Sequence, residues 1–174
     1  GVATVDPVGR PFTYEGNIFR GIYPQSLELV LDIFASGLMR ELIESGTFIE
    51  TEITDLRLAD FSLVLRHKRI TGSIPTEWTV SMLRDAALTI LEVNKICNKY
   101  GYELKDSHPL NVSFDNNSAK WIDFGSIGRR QEGWGAKADF INYTIAPLVF
   151  LQKKELMEGY SILLSELSLH IALK

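Results

Sequence analysis

The sequence holds a single cysteine, Cys97, among 174 residues. With no second thiol, an intramolecular disulfide and a cysteine-ligated zinc centre are both excluded, which suits a reducing compartment. Charge of one sign never gathers into a block. The 18 Lys and Arg are scattered among 22 Asp and Glu, for a net charge of −4, and that balance argues against a general grip on nucleic acid. Long apolar runs are missing too: no stretch approaches the roughly 18 residues of a membrane span. Positions 1–6 (GVATVD) lack the basic-then-apolar order of a signal peptide. A cytoplasmic protein with no membrane and no nucleic-acid partner is expected. What is present, 45% hydrophobic and 23% charged residues, is the profile of one globular domain with a sizeable core. Because the chain starts at Gly1 and stops inside an amphipathic run at Lys174, it is expected to be a piece of a longer protein.

Periodicity orders the chain into a sheet-rich first part, 1–74, and a helical second part, 75–174. In the first, residues 2–15 read as a hairpin turning at Asp6-Pro7-Val8-Gly9-Arg10-Pro11, and Asn17 to Tyr23 as a third strand that carries Arg20. Leu27, Val30, Leu31, Phe34, Leu38 and Leu42 predict one long amphipathic helix over 26–45, capped by Ser26 and stopped at Gly46. Residues 47–53 and 61–70 alternate as an antiparallel pair. In the second part, 76–100 is the strongest helix signal and ends at Gly101, with Cys97 on its apolar face. Two short apolar pieces flank Asp115-Asn116-Asn117-Ser118, a composition that suits a tight hairpin turn. Residues 125–135 read as glycine-rich and irregular, and two last helical segments are divided or kinked near Pro147. The expected class is α+β.

The stretch that carries chemistry is 102–127. Asp106 is followed five positions later by Asn111, and Asn111 twelve positions later by Asp123, which opens Asp123-Phe124-Gly125. Phosphoryl transfer from a nucleotide needs a carboxylate beside the attacking hydroxyl and oxygen ligands for Mg²⁺ across the phosphates. One loop after a long helix, and the exit of one hairpin, supply all three.

These residues resemble the protein-kinase-like superfamily, whose catalytic loop sets an Asn five residues after an Asp and whose metal-binding Asp opens a DFG triplet. The run Asp106-Ser107-His108-Pro109-Leu110-Asn111 is similar to the D-x-H-P-x-N of the aminoglycoside and choline kinase branch. The resemblance implies a kinase-like fold: a small antiparallel-sheet lobe with one helix, and a short helical lobe carrying the catalytic-loop hairpin. It implies Mg²⁺ and ATP as cofactors and a sugar or small-molecule hydroxyl as acceptor. Asp106 would be the catalytic base, His108 a helper at the phosphate, and Asn111 and Asp123 the metal ligands. Leu104 stands where the family sets a histidine two residues before the Asp. The family also pairs a strand lysine with a helix glutamate. Arg20 stands on the strand here, able to grip phosphate bidentately, and its helix partner would be Glu41, Glu28 or Glu44. Arg20, Glu41 and Lys105 make up the cofactor-binding set so implied; Lys105, beside Asp106, either holds the loop or stands in solvent.

A second resemblance rests on Glu77-Trp78, Ser81-Met82-Leu83, Asp85-Ala86-Ala87-Leu88, Leu104-Lys105-Asp106, Phe114 and Ile122-Asp123-Phe124-Gly125-Ser126. These resemble the N-terminal, kinase-like region of nodulation-type class I S-adenosylmethionine methyltransferases. That implies an alternative role, a catalytically degenerate module beside a methyltransferase domain. S-adenosylmethionine would then bind outside this chain, because Gly133-Trp134-Gly135 is too short for the glycine-rich cofactor turn and follows no strand.

Several residues carry plainer readings. His67 and His170 have no partners at ligand spacing and read as structural or solvated. Trp78 and Trp121 read as core or hinge aromatics, and Arg66-His67-Lys68-Arg69 as a solvated edge strand. The amphipathic run 138–173 leaves a dimerisation domain as a third possibility.

Overall fold

In the computed structural model, residues 6–152 are described, and they form a mixed α+β structure. Strand β1 (Gly9–Tyr14) turns at Glu15-Gly16, both at positive φ, and pairs antiparallel with β2 (Asn17–Ile22). This corrects the expected turn of the 2–15 hairpin, because β1 already begins at Gly9 inside Asp6 to Pro11; the expected strand ahead of Asp6 lies outside the described residues. Pro11 is tolerated because β1 is an edge strand, where a missing amide costs no ladder bond. Strands β3 (Thr51–Ile53) and β4 (Leu63–His67) complete a four-stranded sheet of order β1-β2-β4-β3, with β4 antiparallel to both neighbours.

The predicted long helix 26–45 is two helices, α1 (Leu27–Ala35) and α2 (Leu38–Glu44). Apolar spacing runs across the break, but Gly37 adopts φ 88°, a left-handed conformation that no helix continues through. Within α1 the buried pair is Val30 and Ile33, while Leu31 is exposed. Ser26 caps no amide with its side chain; its hydroxyl donates to the Pro7 carbonyl, 3.1 Å away.

Helix α3 (Val80–Lys99) agrees with the prediction, its first turn capped by the Thr79 hydroxyl, which accepts from the Met82 amide at 3.3 Å. Leu83, Ala87, Ile90, Asn94 and Cys97 are buried as the spacing requires. Asn94 uses its amide oxygen to hold the Leu104 amide, 3.0 Å away, at the end of β5 (Tyr102–Leu104). Strand β5 pairs with β8 (Ile127–Arg129), so the stretch read as irregular contains a strand. Between them stands the predicted hairpin, β6 (Val112–Asp115) and β7 (Ser118–Trp121), turning at Asn116-Asn117. The described chain ends through α4 (Lys137–Phe140), a π-helical turn (Ile141–Ile145) and α5 (Ala146–Gln152). Pro147 is the second residue of α5, just after the π-helical turn, so the change in helical geometry falls near the expected division. The rest of the 138–173 run, with His170, lies outside the described residues.

One apolar cluster joins the sheet, the helices and the hairpin. Trp121 is its hinge: its amide donates to the Thr47 carbonyl (2.7 Å), and its own carbonyl accepts from the Ile49 amide (3.0 Å). Trp78 and Cys97 are also in this cluster, and burial pushes the Cys97 thiol up to about 12. Among the described residues no helix is long and apolar enough to cross a membrane.

Candidate functional site

Asp106 opens the loop after β5 and is oriented by that loop's own backbone. Its Oδ1 accepts from the His108 amide (2.7 Å) and its Oδ2 from the Asn111 side-chain amide (3.0 Å). Asn111 in turn accepts, through its backbone carbonyl, from the Ile122 amide (2.9 Å), extending the β6–β7 ladder by one pair. Asp123 is the next residue, so the hairpin carries it back beside the start of its own strand pair. The spacing of five and twelve thus closes on one end of the hairpin.

Asp123 is fixed from three sides. The Trp121 indole donates to its carbonyl at 2.7 Å, the Ser126 hydroxyl to the same oxygen at 2.9 Å, and the Gly125 amide to its Oδ1 at 3.0 Å. Oδ1 also accepts from Arg20 Nη2 at 2.9 Å. Phe124 turns inward, within 6.1 Å of the Phe34 ring and 6.5 Å of His67, which anchors the triplet under the sheet.

Arg20 reaches this point from the inner face of β2. Its side chain is 7% exposed and lies between two carboxylates, Asp123 and Asp6. Burial pulls the guanidinium down from its ordinary range, while the charge and hydrogen bond of Asp123 push it back up. The predicted Arg20–Glu41 pairing is not formed. Glu41 binds Lys99 and the Tyr100 hydroxyl (2.7 Å), and those hydrogen bonds, Lys99 first, hold its carboxyl below the usual range. Lys105 pairs with the buried Glu103 at 2.7 Å. His108 accepts from the Leu110 amide through Nδ1 (3.2 Å), and its ring lies 4.6 Å from that of Tyr143 on the π-helical turn.

Sequence reasoning missed Asp6 and Tyr143. Asp6 lies fourteen residues before Arg20 in a stretch read as a turn, and nothing in its spacing marks it as that arginine's partner. Tyr143 is aligned by a π-turn, which has no sequence period of its own. His67, in turn, belongs to no edge: it is buried, with Nδ1 2.9 Å from the Thr51 hydroxyl. One surface depression of about 500 Å³ lies along β3 and β4 and another of about 440 Å³ between α1, α2 and β3, and neither is lined by Asp106, Asn111 or Asp123.

The donor set is one of hard oxygens. Asn111 spends its amide nitrogen on Asp106, which leaves its amide oxygen, and Asp123 has Oδ2 beyond the oxygen shared by Arg20 and Gly125. Such a pair suits Mg²⁺ better than a softer metal. Fold and site together define a mixed α+β domain built on a small antiparallel sheet, with an acid–amide–acid cluster at a hairpin end beside a buried arginine.

No known protein-family profile matches the chain. It is 26% identical over 152 residues to the nodulation protein NoeA of Rhizobium meliloti (strain 1021), covering 83% of this chain. The chain spans about a third, 32%, of the length of that curated relative.

Proposed function

We propose that this chain is a kinase-like phosphotransferase domain that binds Mg-ATP and transfers phosphate to a hydroxyl of a sugar or small molecule. The observation that supports this reading is the Asp106–Asn111 bond combined with the Ile122-to-Asn111 backbone bond, one residue before Asp123. Asp106, with both oxygens oriented, serves as the base toward the acceptor hydroxyl. Asn111 and Asp123 hold Mg²⁺, which neutralises charge on the transferred phosphate. The sheet order β1-β2-β4-β3, with helices between β2 and β3, supports a small nucleotide-binding lobe over 1–74 and a helical lobe over 75–174.

Thermal unfolding with and without ATP and Mg²⁺ tests the reading. A ligand binding only the folded state at a hundred times its dissociation constant adds about 2.7 kcal/mol. A shift that needs both ATP and Mg²⁺ is expected, and Asp123→Ala should abolish it. Asp106→Ala should keep the shift and stop transfer in an acceptor screen. A folded Asp123→Ala protein that retains the full shift would sink the metal assignment.

A second reading is favoured by one specific observation. Arg20, standing where a lysine would meet the phosphates, is already paired with two carboxylates. On this reading the chain is a degenerate accessory module of a larger protein in nodulation-type or glycan chemistry, with any S-adenosylmethionine-dependent methyltransferase domain outside it. The likeness to a much longer nodulation protein supports that context. No shift with ATP and Mg²⁺ in a cooperatively folding chain would favour it.

A further inference from the structure

Arg20 is the buried cation of the site, and its guanidinium is shared. Nη2 bonds Asp123 Oδ1 at 2.9 Å, and Nη1 faces Asp6 Oδ2. The two carboxylates are a quarter exposed, at 28% and 25%, whereas Arg20 is 7% exposed. Asp6 is held to this position by its own neighbourhood. Its Oδ1 accepts from the Val8 amide (2.8 Å), the Val8 carbonyl accepts from the Tyr23 amide (3.1 Å), and the Pro7 carbonyl accepts from the Ser26 hydroxyl (3.1 Å). Gly125 completes the packing. A Cβ there would fall 2.4 Å from Asp6 Oδ2 and 2.6 Å from Arg20 Nη1, so the acid, the guanidinium and the Asp123-Phe124-Gly125 turn meet at one spot.

Two carboxylates on one guanidinium leave the cluster with a net charge of −1. A phosphate oxygen approaching Arg20 therefore meets repulsion, and it finds the Asp6 carboxylate already against Nη1. We infer that Asp6 is a built-in competitor for phosphate: residues 6–8 form a strap whose carboxylate stands where a phosphate oxygen of the nucleotide would pair with Arg20, and the strap must release for phosphate to bind. This inference rests on the nucleotide-binding reading of the site. The apparent affinity is that of the open form multiplied by the fraction of molecules in which Asp6 has released Arg20. Because the strap sits ahead of β1, whatever draws residues 6–8 away from Arg20 would switch the site on.

Asp6→Asn tests this with little other change, since the amide oxygen still accepts from Val8 while the charge is lost. Asp6→Ser is a second variant, too short to reach Arg20. Binding of Mg-ATP and of metal-free tripolyphosphate is measured by calorimetry on the whole chain at fixed ionic strength, with the unfolding midpoint of each variant as a folding check. Both variants are expected to bind tripolyphosphate about tenfold tighter than the native chain, the gain expected if the competent fraction is roughly a tenth. Mg-ATP should tighten in parallel. Tighter tripolyphosphate binding with no Mg-ATP binding in any chain would uphold the strap and sink the phosphotransferase reading. Equal affinity in native and variant chains, weaker binding in the variants, or no binding of either anion to any of them would overturn the strap. The weaker-binding outcome would make Asp6 a support that orients Arg20.

Discussion

His67 sits against Phe124 with its Nδ1 on the Thr51 hydroxyl, whose own proton goes to the Ile49 carbonyl at 3.0 Å. Nδ1 is therefore the protonated nitrogen, and Nε2 is buried as a bare acceptor. Burial first, and the charge of Arg20 second, lower this imidazole to about 4. A histidine whose folded pKa lies below its unfolded value stabilises fully above about 6.5 and loses that contribution as pH falls toward 4, because the unfolded chain takes a proton that the folded chain refuses. The loss amounts to about 3 kcal/mol at most. Urea midpoints at pH 7 and pH 5 should differ, and His67→Gln should flatten the difference; an unchanged pH profile in His67→Gln would remove His67 as its source. At the same scale, Gly125→Ala introduces a methyl against Arg20 and Asp6. A destabilisation of about 1–3 kcal/mol is expected. Combining it with Asp6→Ser should recover part of that cost in a double-mutant cycle, and strict additivity would count against the close approach.

Elements here are decided by single residues at their ends. Thr79 caps α3 from an exposed position, so Thr79→Ala should cost about 1 kcal/mol of stability, read from the urea midpoint, without touching the core. Gly37 separates α1 from α2, and Gly37→Ala should cost about 1–2 kcal/mol by forcing a side chain into the left-handed region. A gain in helicity without loss of stability would show instead that α1 and α2 had fused. The α3 helix and the β6–β7 hairpin were legible because both depend on local periodicity and turn chemistry. The α1–α2 break was not, because Ala35-Ser36-Gly37 interrupts the backbone but not the apolar spacing. Strands β5 and β8 have three residues each, too short for any period, and they exist because Asn94, Trp134 and each other hold their backbones.

For the molecule as a whole, Trp121 joins the first part of the chain to the hairpin that bears the site. It is fully buried, bonds Thr47 and Ile49 through its backbone, and reaches the Asp123 carbonyl through its indole. Trp121→Ala should cost about 3–5 kcal/mol. In the native chain, tryptophan fluorescence and far-ultraviolet circular dichroism should follow one coincident transition. Two separated transitions would mean that the sheet and the helical part fold independently.

The sequence by itself determined the α+β class, the strongest helix, the hairpin, and the spacing that draws Asp106, Asn111 and Asp123 to one hairpin end, because all of these follow from local periods and turns. Only the tertiary structure decided what Arg20 meets. Glu41, on α2, is bound instead by Lys99 and Tyr100 near the end of α3, while Asp6 and Asp123, 117 residues apart by the numbering, close on the guanidinium. A buried cation takes whichever carboxylates the packed backbone delivers to it, since burial makes an unpaired charge costly and sequence distance carries no weight once the chain has folded.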